Sequence, residues 1–263
     1  MTMQTVSVNK SLGGTQGVYR HASHETKTDT TVSVYVPPNA DGERLPVVWY
    51  LSGLTCTHAN VTEKGEFRSA CAELGLIFMA PDTRPLGEGV PGDPANADDF
   101  GLGAGFYVDA TEEPVARNYR MWSYGTEELP KLVAGQFAVD PKRQSIFGHS
   151  MGGHGALTIA LRHPDRCRAA SAFAPIVAPS QVPWDNEALG SNKDAWRKHD
   201  AVALIEDGAR FSDLLVDYAT QTHFSQNCFV QNCCKPPARR RTSTSSRAAT
   251  VATTTAIASS GPS

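Results

Sequence analysis

The chain has 263 residues, 40% of them hydrophobic, which fits one large α/β domain or two small ones with a real core. Its formal net charge of −3 does not favour nucleic acid or an anionic membrane as a partner. No apolar run is long enough to span a bilayer, and residues 1–10 lack the apolar core of a signal peptide. The six cysteines lack the spacing of a secreted disulfide framework, so a cytoplasmic protein with reduced thiols is predicted.

Strand and helix patterns alternate through the first half of the chain. Residues 30–37 alternate polar and apolar, as a half-buried antiparallel strand does. Residues 46–51 and 75–80 are continuous apolar runs, typical of central strands covered on both faces, and residues 64–74 between them have helical spacing. The stretch 82–118 is rich in Gly, Pro and Asp and too long for a plain connection, so it is predicted to cover a site.

The alternation continues in the second half. Residues 123–136 and 153–162 have helical spacing, and 144–147 and 167–173 are short apolar strands. Strands that alternate with helices predict an α/β fold with a mostly parallel central sheet and helices on both faces.

The composition changes after Asp217. From residue 218 to 263 there is no Asp, no Glu and no Leu, and no hydrophobic period survives. Such a segment cannot bury enough apolar surface to fold, so the tail is predicted to be disordered or poorly packed. The predicted organisation is a core over 1–218 and a tail over 219–263 without its own fold.

The pentapeptide at 148–152, Gly-His-Ser-Met-Gly, lies between a predicted strand and a predicted helix. This arrangement is the nucleophile elbow of α/β-hydrolases, whose tight turn exposes the serine hydroxyl and the next backbone N–H. Ser150 is therefore the candidate nucleophile, with His149 near the site. The alternative is a glycine-rich packing turn.

Residues 50–57 follow a predicted central strand, where α/β-hydrolases place a second oxyanion donor. The N–H groups of Leu54 and Met151 are the candidate oxyanion hole, and an ordinary strand-to-helix loop is the alternative. Cys56 is near this site, although a buried, inert cysteine is the default expectation. The glycines of 101–105 are interpreted as a close-packed site loop, because no βαβ unit supports phosphate binding.

The serine needs a histidine base oriented by an acid. His154 is one turn into the elbow helix and is expected to pack locally, and His163 can cap the end of that helix. His199 lies in a polar segment and is expected to be solvated. His223 follows Asp217 by six residues, too few for two catalytic loops. No convincing base is found.

Together these motifs resemble the S-formylglutathione hydrolases of the esterase D family over roughly residues 5–217. The matching stretches are 51–57, 100–111, 118–121, 126–130, 148–157 and 171–176. The resemblance implies a thioesterase without cofactor or metal that uses Ser150 to release formate and glutathione, in formaldehyde detoxification. A homodimer is left open.

The same family has its acid just past a strand like 214–218 and its base in a later Gly-Tyr-Asp-His-Ser-Tyr motif, and this chain has neither. If one nucleotide is restored near codon 218, codons 219–238 can encode an acid-rich amphipathic helix. Codons 251–257 can then encode the missing histidine motif. A frameshift is therefore predicted, and with it an inactive chain.

Three functions remain open at this point. The first is the hydrolase, complete only in the unshifted frame. The second is a non-catalytic remnant or binding protein that keeps the pocket but lacks the base. The third is an acyltransferase on the same fold, which would pass the acyl group to an alcohol instead of water.

Overall fold

The computed structural model describes residues 2–38, 43–91, 105–181, 186–190 and 192–218. The predicted tail, 219–263, lies outside the described residues, and so does most of the predicted loop 101–105.

Eight strands form one mixed sheet in the order β1-β2-β3-β5-β4-β6-β7-β8. The first three strands and β5 pair antiparallel, whereas β5, β4, β6, β7 and β8 pair parallel. The strands are β1 (Gln4–Ser11), β2 (Gly14–Ala22), β3 (Asp29–Val36), β4 (Leu45–Leu51), β5 (Ile77–Pro81), β6 (Val139–His149), β7 (Ala169–Phe173) and β8 (Leu214–Asp217).

Helices flank this sheet. Between α3 and α4 the chain continues through a π-helical turn, Tyr124–Glu128, and short 3₁₀ turns occur at Val115–Arg117 and Pro179–Gln181. The α-helices are α1 (His58–Lys64), α2 (Arg68–Leu74), α3 (Met121–Ser123), α4 (Leu129–Gln136), α5 (Met151–Arg162), α6 (Asn186–Leu189), α7 (Lys193–Arg197) and α8 (Ala201–Glu206).

The two faces of the sheet carry separate layers of core. On one face, the side chains of Trp49 and Ile146 pack with residues of α4 and α5. On the other face, Val48 and Phe78 pack with Cys71 of α2. The continuous apolar runs predicted to be central strands, 46–51 and 75–80, are β4 and β5, and they are buried on both faces as expected.

The antiparallel strand predicted over 30–37 is β3, which is antiparallel to both of its neighbours. The expectation that it is only half-buried is wrong, because Ser33 and Tyr35 on one face are as buried as Val32 and Val34 on the other. The hairpin of β1 and β2 was not predicted. Nearly all of β1 is exposed on both faces, so it has no buried side to impose an alternating pattern.

The helix predicted over 64–74 is the shorter α2, and a separate helix, α1, precedes it. Helix α1 begins after Thr57, whose side chain accepts a hydrogen bond from the amide of Ala59. It ends at Gly65, which is extended, and α2 begins at Arg68. The pattern missed α1 because none of its residues is buried. In the described parts of the chain no helix is long and apolar enough to cross a membrane.

Candidate active site

Ser150 lies at the turn from β6 into α5, with φ 57° and ψ −119°. This positive φ is strained for a residue with a Cβ atom and persists only where the surroundings impose it. The amide of Ser150 donates to the carbonyl of Phe173 on β7 (2.8 Å), and its carbonyl accepts from the amide of His154 (3.0 Å). The turn is therefore held from both sides, by the neighbouring strand and by the first turn of the helix.

Glycine is required at both ends of the pentapeptide. A Cβ atom on Gly148 would lie 2.2 Å from the carbonyl oxygen of Gly152, and one on Gly152 would lie 1.9 Å from that of Leu51. Both contacts are with backbone, which cannot move aside. The tight turn of the pentapeptide therefore excludes any side chain larger than that of glycine at 148 and 152.

The loop after β4 passes directly beside the serine. A Cβ atom on Gly53 would lie only 3.3 Å from the Cβ of Ser150. The next residue is Leu54, one of the two predicted oxyanion donors. The other, Met151, is the first residue of α5, so its amide has no acceptor within the helix. The structure thus brings the loop of Leu54 and the helix start of Met151 to the same serine.

The two residues predicted to be near the site are both partly accessible. Cys56 is a free, half-buried thiol on the same loop, so the default expectation of a buried cysteine is wrong at this position. Its amide donates to the carbonyl of Gly53 (3.3 Å), which closes the turn on which the thiol lies. The side chain of His149 is exposed. Cys71 and Cys167, by contrast, are buried, and burial raises the pKa of each thiol to about 12.

His154 and His163 take the places expected for them. His154 is 1% exposed and lies edge-on to the ring of Phe106 (6.3 Å between centroids). Burial lowers the pKa of His154 to about 4, so this imidazole is neutral. His163 is the C-cap residue of α5, and its ring lies against Trp122.

The expectation that His199 is solvated is wrong. Its side chain is 8% exposed and lies edge-on to Trp122 (5.1 Å between centroids). Burial and the nearby Arg162 lower its pKa to about 3. The polar segment misled the prediction because α7 turns Trp196 into the core, and His199 follows it inward. His223 lies outside the described residues.

Sequence reasoning missed a histidine–carboxylate pair beside the site. His58, the first residue of α1, approaches Asp82 with its ring (Nδ1 to Oδ1, 2.8 Å), and its amide donates to the same oxygen (3.1 Å). The other carboxylate oxygen accepts from the amide of Thr31 (3.1 Å). The sequence pattern pointed only to histidines after Ser150, because α/β-hydrolases place the base after the nucleophile, and His58 precedes it.

No hydrogen bond joins the hydroxyl of Ser150 to a histidine anywhere in the described ranges. Asp217 ends β8, and its carbonyl accepts from the amide of Ala174 (2.7 Å), which ties β8 to β7. This backbone pairing brings the end of β8 to the same edge of the sheet as Ser150. Within the described residues the site therefore has the candidate nucleophile and the two candidate oxyanion donors, and no base is attached to the serine.

A serine at positive φ between a parallel strand and a helix, in a mostly parallel sheet with helices on both faces, defines an α/β-hydrolase. The esterase family described as "Putative esterase" matches residues 23–230. The chain belongs to this family and, within it, to the S-formylglutathione hydrolases, which are serine hydrolases.

Three relatives support this assignment. S-formylglutathione hydrolase of Paracoccus denitrificans is 49% identical over 228 residues, covering 85% of this chain and 81% of its own. The mouse enzyme of the same name is 45% identical over 233 residues, covering 86% and 82%. The solved structure of an S-formylglutathione hydrolase from Agrobacterium tumefaciens is 54% identical, with a TM-score of 0.81, covering 86% of this chain and 82% of its own.

Proposed function

We propose that this protein is built to hydrolyse S-formylglutathione to formate and glutathione, with Ser150 as the nucleophile. The observation that carries the proposal is the elbow, where a strained serine is held between β6 and α5 against the loop of Gly53. The relatives named S-formylglutathione hydrolase support the substrate. The reaction belongs to the detoxification of formaldehyde.

Two covalent steps account for the reaction. The Ser150 oxygen attacks the formyl carbon and loses its proton to a base, the carbon–sulfur bond breaks, and glutathione leaves as the thiol after taking that proton. Water then loses a proton to the base and attacks the formyl ester, the ester bond to Ser150 breaks, the serine oxygen takes the proton back, and formate leaves. During both steps the carbonyl oxygen carries negative charge, which the N–H groups of Leu54 and Met151 are proposed to stabilise. Loss of one such donor typically lowers kcat by about 10²–10³.

We propose further that residues 219–263 are translated from a shifted reading frame. In support, the described residues attach no histidine to Ser150, and an unshifted frame can encode both an acid-rich helix and a histidine motif after β8. Without a base the serine hydroxyl stays protonated, and nothing protonates the leaving thiolate. A hydrolase that lacks a triad member can retain roughly 10³–10⁴ over the uncatalysed rate from the remaining groups. The chain as printed is therefore expected to be essentially inactive.

Restoring one nucleotide near codon 218 tests both proposals. The restored protein should hydrolyse S-formylglutathione, and Ser150→Ala in the restored protein should remove nearly all turnover, because no other group forms the ester. Cys56→Ser in the restored protein is the control, because it changes a thiol beside the site and leaves the nucleophile. If Ser150→Ala kept near-full activity, the serine mechanism would be wrong. Equal activity of the printed and restored chains would overturn the frameshift.

A second candidate is a non-catalytic remnant that binds the thioester without cleaving it. For the printed chain this candidate is favoured by the Ser150 hydroxyl, which has no hydrogen bond to a histidine within the described residues. Binding of S-formylglutathione without release of formate would distinguish it. For the restored protein, product analysis with a competing alcohol separates hydrolysis from acyl transfer.

We infer a cytoplasmic location and a homodimer on separate grounds. The three described cysteines are free thiols, which suits a reducing compartment. Within the described residues β1 is an edge strand of the sheet, and it exposes the side chains of Val6 (53%) and Val8 (48%), a surface suited to a second copy. The net charge of −3 does not favour nucleic acid.

A further inference from the structure

We propose that His58 and Asp82 form a positioning pair that fixes the loop carrying Leu54 beside Ser150. The proposal rests on the function above, since it assigns the Leu54 N–H to the oxyanion hole. The loop runs from Ser52 to Thr57 and connects β4 to α1.

One end of this loop is held against the elbow. The hydroxyl of Tyr107, which is fully buried, donates to the carbonyl of Ser52 (3.1 Å). That carbonyl oxygen would lie 2.7 Å from a Cβ atom on Gly152, so it touches the elbow itself. Gly53 then lies against the elbow, since a Cβ atom on it would be 3.2 Å from the carbonyl oxygen of His149 and 3.3 Å from the Cβ of Ser150. The start of the loop therefore cannot move without disturbing the nucleophile.

The other end is held by Asp82, which directly follows β5. Asp82 is 2% exposed, and its carboxylate binds both the ring and the amide of His58 while its second oxygen binds the amide of Thr31 on β3. Its own amide donates to the carbonyl of Thr31 (2.9 Å). Through these bonds the first residue of α1 is fixed to the sheet, two strands away from the serine.

The middle of the loop is held by the residue after Asp82. The hydroxyl of Thr83 donates to the carbonyl of Cys56 (2.5 Å), and a guanidinium nitrogen of Arg84 lies 3.4 Å from the same oxygen. Thr55 has φ 60°, a conformation that a non-glycine residue keeps only under constraint. His58 is the side chain that ties this strained turn to a buried carboxylate, so it acts on Leu54 without touching substrate.

The thiol of Cys56 provides a direct measure of this loop. Of the described cysteines, Cys56 alone is half-exposed, whereas Cys71 and Cys167 are buried. Its alkylation by iodoacetamide, followed on its own peptide by mass spectrometry, rises above the rate set by its partial exposure when the loop loosens, and turnover is not required. Mass spectrometry distinguishes the peptide that contains Cys56 from those that contain the cysteines of the tail.

His58→Phe keeps a ring but loses the hydrogen bond from the ring to Asp82. This hydrogen bond to a carboxylate stabilises the closed form of the loop. Its loss should raise the fraction of open loop, and with it the rate of Cys56 alkylation, about tenfold. His58→Asn keeps a side-chain donor for Asp82 and should return the rate toward that of the parent. His24→Phe, at an exposed histidine that has no hydrogen bond to either member of the pair in the described structure, is the matched control and should leave the rate unchanged.

The buried thiols distinguish a local role from general loosening. If His58→Phe speeds Cys56 alone, the pair positions the loop. If it speeds Cys71 and Cys167 equally, or leaves Cys56 at the parental rate, the proposal is overturned. In the frame-restored protein, His58→Phe should also lower kcat with little change in KM. An inactive restored protein would refute the hydrolase and leave the thiol measurement as the test of the pair.

Discussion

Acidification should destabilise the fold through two buried histidines, His154 and His199. Burial lowers the pKa of His154 to about 4 and that of His199 to about 3, both from 6.5. The unfolded chain takes up these protons as the pH falls below about 6.5, whereas the folded chain resists them until far lower pH. Their stabilisation is therefore fully present above pH 6.5 and is lost progressively as the pH falls toward the folded pKa values.

The size of the effect follows from the pKa differences. Between pH 7 and pH 5, protonation of each histidine in the unfolded chain lowers the free energy of unfolding by about 2 kcal/mol. The two histidines together should therefore lower it by about 4 kcal/mol. That is a large share of a typical stability of roughly 5–15 kcal/mol. The positive charge of Arg162, near His199, acts in the same direction.

Urea unfolding at pH 7 and pH 5, followed by circular dichroism, measures this loss. His199→Phe removes one titrating group while keeping an aromatic ring against Trp122, and it should reduce the pH-dependent loss by about 2 kcal/mol. His24→Phe, at an exposed histidine, should leave the loss unchanged. An unaltered loss in His199→Phe would show that His199 takes up its proton in the folded state as readily as in the unfolded one, and the reasoning from burial would be refuted.

Two further predictions concern the elbow and a buried carboxylate. Gly152→Ala places a Cβ atom 1.9 Å from the carbonyl oxygen of Leu51 and should lower the free energy of unfolding by more than about 3 kcal/mol. The control, Gly135→Ala, lies in open space on α4 and should be neutral or stabilising. Similar urea midpoints for the two variants would contradict the close approach. Glu128→Gln replaces a carboxylate that accepts three hydrogen bonds from residues 23–25, and it should lower the free energy of unfolding by about 1–3 kcal/mol. The control, Glu127→Gln, lies on the solvent side and should change the urea midpoint little. Equal shifts at 127 and 128 would show that those bonds contribute nothing.

Much of the fold is predictable from sequence because burial imposes it. The central strands β4 and β5 are buried on both faces, so their residues must be apolar and the pattern is unmistakable. The elbow is equally legible, because its backbone contacts exclude every residue except glycine at 148 and 152. Burial on both faces and the lack of room for a Cβ atom each restrict residues that are close together in the chain, so the restriction is visible in the sequence.

The errors occur where no such requirement acts on neighbouring residues. The exposed strand β1 is held by backbone hydrogen bonds to β2, which leave no mark on its side chains. His199 is buried because Trp196 anchors a polar segment, so the local composition pointed the wrong way. The partner of His58 is Asp82, 24 residues further along, and only the sheet brings them together. Contacts between distant segments of this kind cannot be predicted from the pattern around either residue.

The nucleophile and its base are specified by different parts of this chain. Among the described residues, the hydrogen bonds of the Ser150 backbone and the close contacts of Gly148 and Gly152 come from β6, β7, α5 and the end of β4 with the residue after it, all of which precede β8, so the elbow does not depend on the sequence that follows β8. The base and the acid are expected beyond β8, where the printed sequence has lost its apolar pattern. A shift of frame near codon 218 would therefore leave the shape of the nucleophile intact while removing the group that activates it. An intact elbow is then evidence of ancestry and of the chemistry the fold supports, and turnover has to be measured separately, on the restored chain and the printed one side by side.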